Sequence, residues 1–175
     1  MQWILPMNNH RNQLKIKGKM LYFTFETNLG IAGITASPEG IIALSLPPNP
    51  FLKATKPPAQ FTSLIERLKA YFEGVEAAFP DKLDLNAATP FQRRVWETTR
   101  LIPYGETRSY RWIAERIGQP AAARAVGQAL GRNRLPVIIP CHRVIASNGI
   151  LGGFSLGLDM KMMLLSLEQG RAVKR

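Results

Sequence analysis

The stretch Leu135-Pro136-Val137-Ile138-Ile139-Pro140-Cys141-His142-Arg143-Val144 joins an apolar run to a polar triplet that holds the chain's one cysteine and one of its two histidines. Proline disfavours helical geometry in the residue before it, so Pro140 pushes Ile139 towards an extended conformation. The run then reads as a short buried segment that stops at the triplet. Cys141 therefore belongs at the edge of a core, with one side open. A free thiol is only a few per cent ionised at neutral pH, with a reference pKa of about 8.5, so a working cysteine needs a base or a positive field. His142 and Arg143 are the candidates. Consecutive side chains of an extended segment point to opposite faces, so a contact from Cys141 to His142 requires a turn or a bridging water. The competing reading is that Cys141 fills volume, as buried unpaired cysteines often do.

A single cysteine excludes an internal disulfide, and with two histidines it excludes any site built from several Cys and His ligands. Neither a metal nor a cofactor is expected. The compartment is expected to be reducing. No apolar run reaches membrane-span length and residues 1–10 lack a secretory pattern, so the reading is a cytoplasmic protein without a membrane partner; a monomer is expected, though nothing in the sequence fixes the oligomeric state. At 175 residues, 46% of them hydrophobic, the chain has room for one generous domain or two small ones. The formal charge of +11 is unevenly placed: residues 1–85 carry 9 Lys+Arg against 7 Asp+Glu, residues 86–175 carry 14 against 5, and 12 of those 14 are arginine. The planar guanidinium fork suits phosphate and base-edge contacts. Charge alone leaves a solvated basic face, a membrane surface or an acidic protein open.

The pattern along the chain is α+β, with a small N-terminal antiparallel sheet and a covering helix, then a mainly helical C-terminal domain. Residues 1–19 are polar and basic without periodicity, a loose extension. Leu21 to Glu26, Ile31 to Ala36 and Ile41 to Leu46 read as strands, the last two joined by the turn Ser37-Pro38-Glu39-Gly40. Five prolines between Pro47 and Pro58 make that stretch irregular. Phe61, Leu64, Ile65, Leu68 and Phe72 then recur at helical spacing up to Gly74. Residues 20–85 hold no evident chemistry and are expected to support the rest. A boundary near residues 85–88 precedes Thr89-Pro90 with Gln92, a helix start leading to Val95, Trp96 and Thr99 and ended by Pro103-Tyr104-Gly105. Ser109 to Ile117, the turn Gly118-Gln119-Pro120 and Ala121 to Leu130, with Gly131 as a stop, have the helix-turn-helix pattern. The second helix is built almost wholly of small residues. They allow close backbone approach but leave few groups to read base edges in a major groove. Tight core packing is the alternative, and Arg124 argues against burial all round.

Pro140-Cys141-His142-Arg143-Val144, with Asn133 eight residues before the cysteine and Gly152-Gly153-Phe154-Ser155 after it, resembles the active-site signature of the O6-alkylguanine-DNA alkyltransferases. These are the methylated-DNA–protein-cysteine methyltransferases, and the likeness spans roughly residues 89–170. It implies a ribonuclease H-like support domain at 20–85 and a DNA-binding, alkyl-acceptor domain at 86–175. By resemblance, the partner is double-stranded DNA containing O6-alkylguanine. The reaction is a single irreversible transfer of the alkyl group to Cys141, with O4-alkylthymine as a further substrate. His142 takes the thiol proton through a water, Glu168 orients His142, Tyr110 bonds the purine ring nitrogen and Asn133 braces the turn carrying the cysteine. Arg124 fills the gap left by a base flipped from the minor groove, and Ala122, Ala123, Ala125 and Gly127 permit close approach. Ser109, Arg111 and Ser147 also fall at the DNA, while Val144, Ser155, Phe154 and Leu130 border the substrate pocket. Taken singly, Tyr110 reads equally as a half-buried helix aromatic, Glu168 as a surface charge and Asn133 as a helix cap. Phe154 stands where the family also has tyrosine, which leaves the tolerated alkyl range open. The alternative is a helix-turn-helix regulator or lesion-binding protein without transfer.

Overall fold

The computed structural model describes residues 20–47 and 55–170; the expected extension at 1–19 and part of the proline-rich stretch lie outside the described residues. Strands β1 (Leu21–Thr27), β2 (Gly30–Ser37) and β3 (Gly40–Ser45) form an antiparallel sheet in that order. Aromatic and β-branched residues favour this pleated, half-buried surface, and both connections are two-residue turns, with Thr27 paired to Gly30 and Ser37 to Gly40. The free edge of β3 is covered. Ile41 bonds the backbone of Lys82 and Asp84, and the Leu44 amide donates to the Arg134 carbonyl at 2.9 Å. Helix α1 (Thr62–Phe72) buries Leu64, Leu68, Tyr71 and Phe72, which join Phe23, Phe25 and Ile34 of the sheet in one apolar cluster.

The expected capping box opens α2 (Pro90–Thr99): the Gln92 amide donates to Thr89 Oγ1 at 3.2 Å, and the Thr89 amide donates to Gln92 Oε1 at 2.9 Å. Ser109 caps α3 (Tyr110–Arg116) through the Trp112 amide. The second helix of the pair, α4 (Ala123–Gly131), starts later than its composition suggests, because Pro120–Ala122 winds as a 3-10 turn. Ala122 has no side-chain oxygen to cap the helix, and tightening is the other way to place its first amides. Val126, Ala129 and Leu130 are buried, and Trp96 Nε1 donates to the Ala129 carbonyl at 3.0 Å, so α4 docks on α2.

The apolar run before the cysteine is buried as expected, but it is a tight turn and not an extended segment. The Ile139 amide donates to the Leu135 carbonyl at 2.8 Å, and Val137 takes φ 72°, rare for a β-branched residue. Pro140, at φ −78° and ψ 62° with the Cys141 amide bonded to the Ile139 carbonyl, makes an inverse γ-turn. Cys141–Arg143 follows as a 3-10 turn. Two short parallel strands, β4 (Arg108–Ser109) and β5 (Val144–Ile145), tie this turn to the start of α3. The last helix, α5 (Leu158–Glu168), buries Lys161, Leu164, Leu165 and Glu168 along one stripe. One buried cluster runs without a break from Phe23 to Leu164. Among the described residues no helix is long and apolar enough to cross a membrane.

Candidate active site

Asn133, just past the end of α4, spans the turn and holds it closed. Its Nδ2 donates to the Ile139 carbonyl at 2.9 Å and to Cys141 Sγ at 3.1 Å, while its Oδ1 accepts from the Leu135 amide at 2.8 Å. Cys141 is only 5% exposed, and burial pushes its thiol up to about 11, against the opposing pull of the Asn133 hydrogen bond and the Lys161 charge. At neutral pH the sulfur is protonated. Nucleophilic chemistry here requires a base.

His142 is fully buried beside it, and its Nε2 lies 2.6 Å from Glu168 Oε1 and 3.3 Å from Tyr71 Oη. Burial would raise the Glu168 carboxyl, but hydrogen bonds from His142 and Arg143 outweigh it and hold the group near 2. Arg143 grips the carboxylate with Nε at 2.9 Å from Oε2 and Nη2 at 3.0 Å from Oε1, and the Gly105 amide donates to Oε2 at 3.0 Å. An ionised carboxylate only accepts, so the proton of a neutral imidazole sits on Nε2 and Nδ1 is the bare nitrogen. Burial keeps His142 below its ordinary pKa despite the pull of Glu168. Among the described residues Nδ1 has no hydrogen-bond partner. The pair is therefore a neutral imidazole backed by a fixed negative charge.

On the other side of Cys141, Lys161 is buried and donates to the Val144 carbonyl at 2.6 Å and to the Leu151 carbonyl. Burial depresses its ammonium to about 8. Its Nζ sits 6.0 Å from the ring centre of Tyr110, whose hydroxyl is held protonated by burial and then by the neighbouring Cys141. Gly152 takes φ 66°, and a Cβ there would meet Tyr110 Oη at 2.8 Å, so only glycine lets the loop pass this hydroxyl.

Cys141 and Tyr110 face a cleft of about 660 Å³. Ala123, Arg124, Gly127 and Leu130 of α4 border it, with Arg111 of α3 and Ser147, Phe154 and Ser155 of the loop before α5. Arg124 is exposed. His142, Glu168 and Asn133 lie behind the cysteine and outside the cleft wall. Other expected site residues stand away from that wall. Ala125 is exposed on α4, Ala122 ends the 3-10 turn, and the side chain of Ser109 caps α3. Val144 is buried beneath the cleft, its amide donating to the Cys141 carbonyl and its own carbonyl accepting from Lys161.

The family model for the 6-O-methylguanine DNA methyltransferase DNA-binding domain matches residues 90–170. The methylated-DNA–protein-cysteine methyltransferase of Methanosarcina acetivorans is 41% identical over 159 residues, which cover 85% of this chain and 98% of the relative. The chain belongs to the methylated-DNA–protein-cysteine methyltransferase family. The Mycolicibacterium paratuberculosis member is 52% identical over 115 residues, 66% of this chain and 69% of its own. Among solved structures, Mycobacterium tuberculosis OGT in complex with DNA matches with a TM-score of 0.74 at 42% identity, covering 86% of this chain and 94% of that one.

Sequence reasoning missed four groups around the site of this methyltransferase family member: Tyr71, Gly105, Lys161 and the grip of Arg143 on Glu168. One carried a signal. Tyr71 lies on the apolar stripe of α1, where a hydroxyl must find a partner. Residues 20–85, expected to support the rest, reach the site through Tyr71, whose hydroxyl donates to Glu168 at 2.6 Å.

Proposed function

We propose that this protein repairs DNA by taking the alkyl group of O6-alkylguanine onto Cys141, irreversibly and once per molecule. One observation carries the reading: the single thiol faces the cleft while the histidine beside it, bare at Nδ1, is backed by a buried carboxylate. His142 Nδ1 accepts the thiol proton through a bridging water, and Glu168 stabilises the imidazolium that forms. The thiolate attacks the alkyl carbon in line with its bond to O6. The S–C bond forms as the C–O bond breaks, the electron pair goes to the guanine oxygen, and the departing base recovers a proton. Tyr110 donates to a purine ring nitrogen and eases that departure. A thioether has no easy hydrolytic return, so the protein is consumed.

The DNA side of the proposal rests on α4. Its small residues Ala123, Ala125 and Gly127, with Ala122 of the turn before it, let the helix approach the minor groove closely, with Ser109, Arg111 and Ser147 at the flanking backbone. Arg124 occupies the place of the extruded base, and Ser155, Phe154 and Leu130 surround that base beside Cys141. O4-alkylthymine presents the same kind of alkyl carbon and is a second substrate. In this reading residues 86–175 bind DNA and accept the alkyl group, and residues 20–85 support them.

The test is stoichiometric. Mixed with one equivalent of O6-methylguanine duplex, the protein gains the mass of one methylene group at Cys141, and Cys141→Ser gains none. Many turnovers per molecule, or label on another residue, would overturn the assignment.

A further inference from the structure

We propose that Tyr71, on α1 of the N-terminal part, is a positioning residue of the proton relay, its hydroxyl fixing the Glu168 carboxylate and the imidazole that leans on it. The proposal rests on the relay reading of His142 and Glu168 given above. Tyr71 is fully buried and stands 97 residues from Glu168 in the chain, with Oη 2.6 Å from Glu168 Oε1 and 3.3 Å from His142 Nε2. A phenol has one proton to give, and it goes to the nearer, charged oxygen. Towards His142 the phenol oxygen can then only accept. The Nε2–H thus points between two acceptors, Glu168 Oε1 and Tyr71 Oη, and a ring flip, which would put Cε1–H in place of Nε2–H and Cδ2–H in place of Nδ1, would lose both contacts. Tyr71 therefore helps to keep Nδ1 bare and turned away from the carboxylate.

The tyrosine ring is held independently of its hydroxyl. It makes edge contacts with Phe72 at 5.6 Å, Tyr104 at 6.1 Å and Phe79 at 6.2 Å between ring centres. Phenylalanine fits the same space, so Tyr71→Phe removes the hydroxyl's bond to Glu168 and its longer contact with His142 and leaves the packing. The groups that face this hydroxyl or act on it are Glu168 from α5, His142 and Arg143 from the cysteine turn, and Tyr104 from the segment after α2. Lys161, further along α5, acts on His142. The Tyr71 hydrogen bond takes up part of the carboxylate's charge. Without it, Glu168 holds a proton on His142 to higher pH, and a protonated imidazole cannot accept the thiol proton.

The experiment follows single-turnover reaction of the full chain with free O6-benzylguanine, which needs no DNA, across a pH series. Tyr71→Phe is expected to move the acid limb of the rate profile to higher pH and to slow reaction at neutral pH about tenfold or more, as losing a hydrogen bond to a charged group does. The position of the limb does not depend on how much of the variant is folded, so partial destabilisation leaves the readout intact. In a Glu168→Gln background the same change is expected to add little, because both act through one carboxylate. A limb that stays in place in Tyr71→Phe, while Glu168→Gln is slow, overturns the role of Tyr71 and leaves the relay standing. Glu168→Gln reacting at the parent rate overturns the relay itself.

Discussion

Asn133 spends three of its four hydrogen-bonding positions on the cysteine turn. Both amide hydrogens are given away, to the Ile139 carbonyl and to Cys141 Sγ, and the oxygen takes the Leu135 amide. Asn133→Ala leaves the buried Leu135 amide without a partner, a loss of about 1–3 kcal/mol. It also removes the contact that most opposes the upward push of burial on the thiol. The Cys141 pKa should climb further, so reaction with free O6-benzylguanine should slow most at neutral pH and recover as pH rises. Urea denaturation checks the first consequence and a pH series of single-turnover rates the second. A rate deficit equal at every pH would mean that Asn133 places the sulfur without tuning it.

At the scale of elements, α4 separates two explanations of Arg124. If the side chain only adds positive charge, Arg124→Lys keeps the parent rate and Arg124→Ala loses affinity in a way that salt diminishes. If it fills the space of an extruded base, its planar fork and long stem matter, and lysine is a poor substitute. Arg124→Ala is then expected to slow repair of duplex strongly and of single strands less, while sparing free O6-benzylguanine, because extrusion costs a few kcal/mol only where the base is stacked and paired. Equal slowing on all three substrates would assign Arg124 to the pocket or the fold. Helix α4 was legible in the sequence, as were the three strands and the start of α2, because each rests on a local pattern: alternation, a two-residue turn, a capping box. Helix α5 was not. Met160, Met162, Met163, Leu164, Leu165 and Leu167 run around it, so its buried side has no apolar period to betray it. The cysteine turn was half legible: the apolar run announced burial, but the left-handed Val137 depends on packing that no residue-by-residue preference reports. The contact of Tyr71 with Glu168 joins the N-terminal part to the last helix and exists only in the folded chain.

Across the whole molecule, that contact is one of several that gather distant segments of the chain on one carboxylate. Glu168 of α5 accepts from Tyr71 of α1, from His142 and Arg143 of the cysteine turn and from Gly105 after α2, so its charge helps to hold four segments together. Its folded pKa near 2 lies below the value of about 4.3 for an unfolded glutamate. A depressed carboxyl contributes stability that is fully present above the unfolded pKa and is lost as pH falls through the folded one. The window here runs from about pH 4.5 down to about pH 2, and the shift corresponds to roughly 3 kcal/mol. His142 acts in the same direction at higher pH: its folded pKa is lowered, so the unfolded chain binds its proton first and stability already falls as pH drops below about 6.5. Glu168→Gln cannot titrate and leaves Arg143 without its counter-charge, so it should be less stable than the parent at neutral pH. The gap should narrow steadily below pH 4.5 and nearly close by pH 2, where the parent carboxyl is half protonated in the folded chain and neutral in the unfolded one. Urea denaturation at fixed ionic strength over that range measures it. A gap that stays constant down to pH 2 would mean that the Glu168 charge, for all its hydrogen bonds, contributes nothing to holding the four segments together.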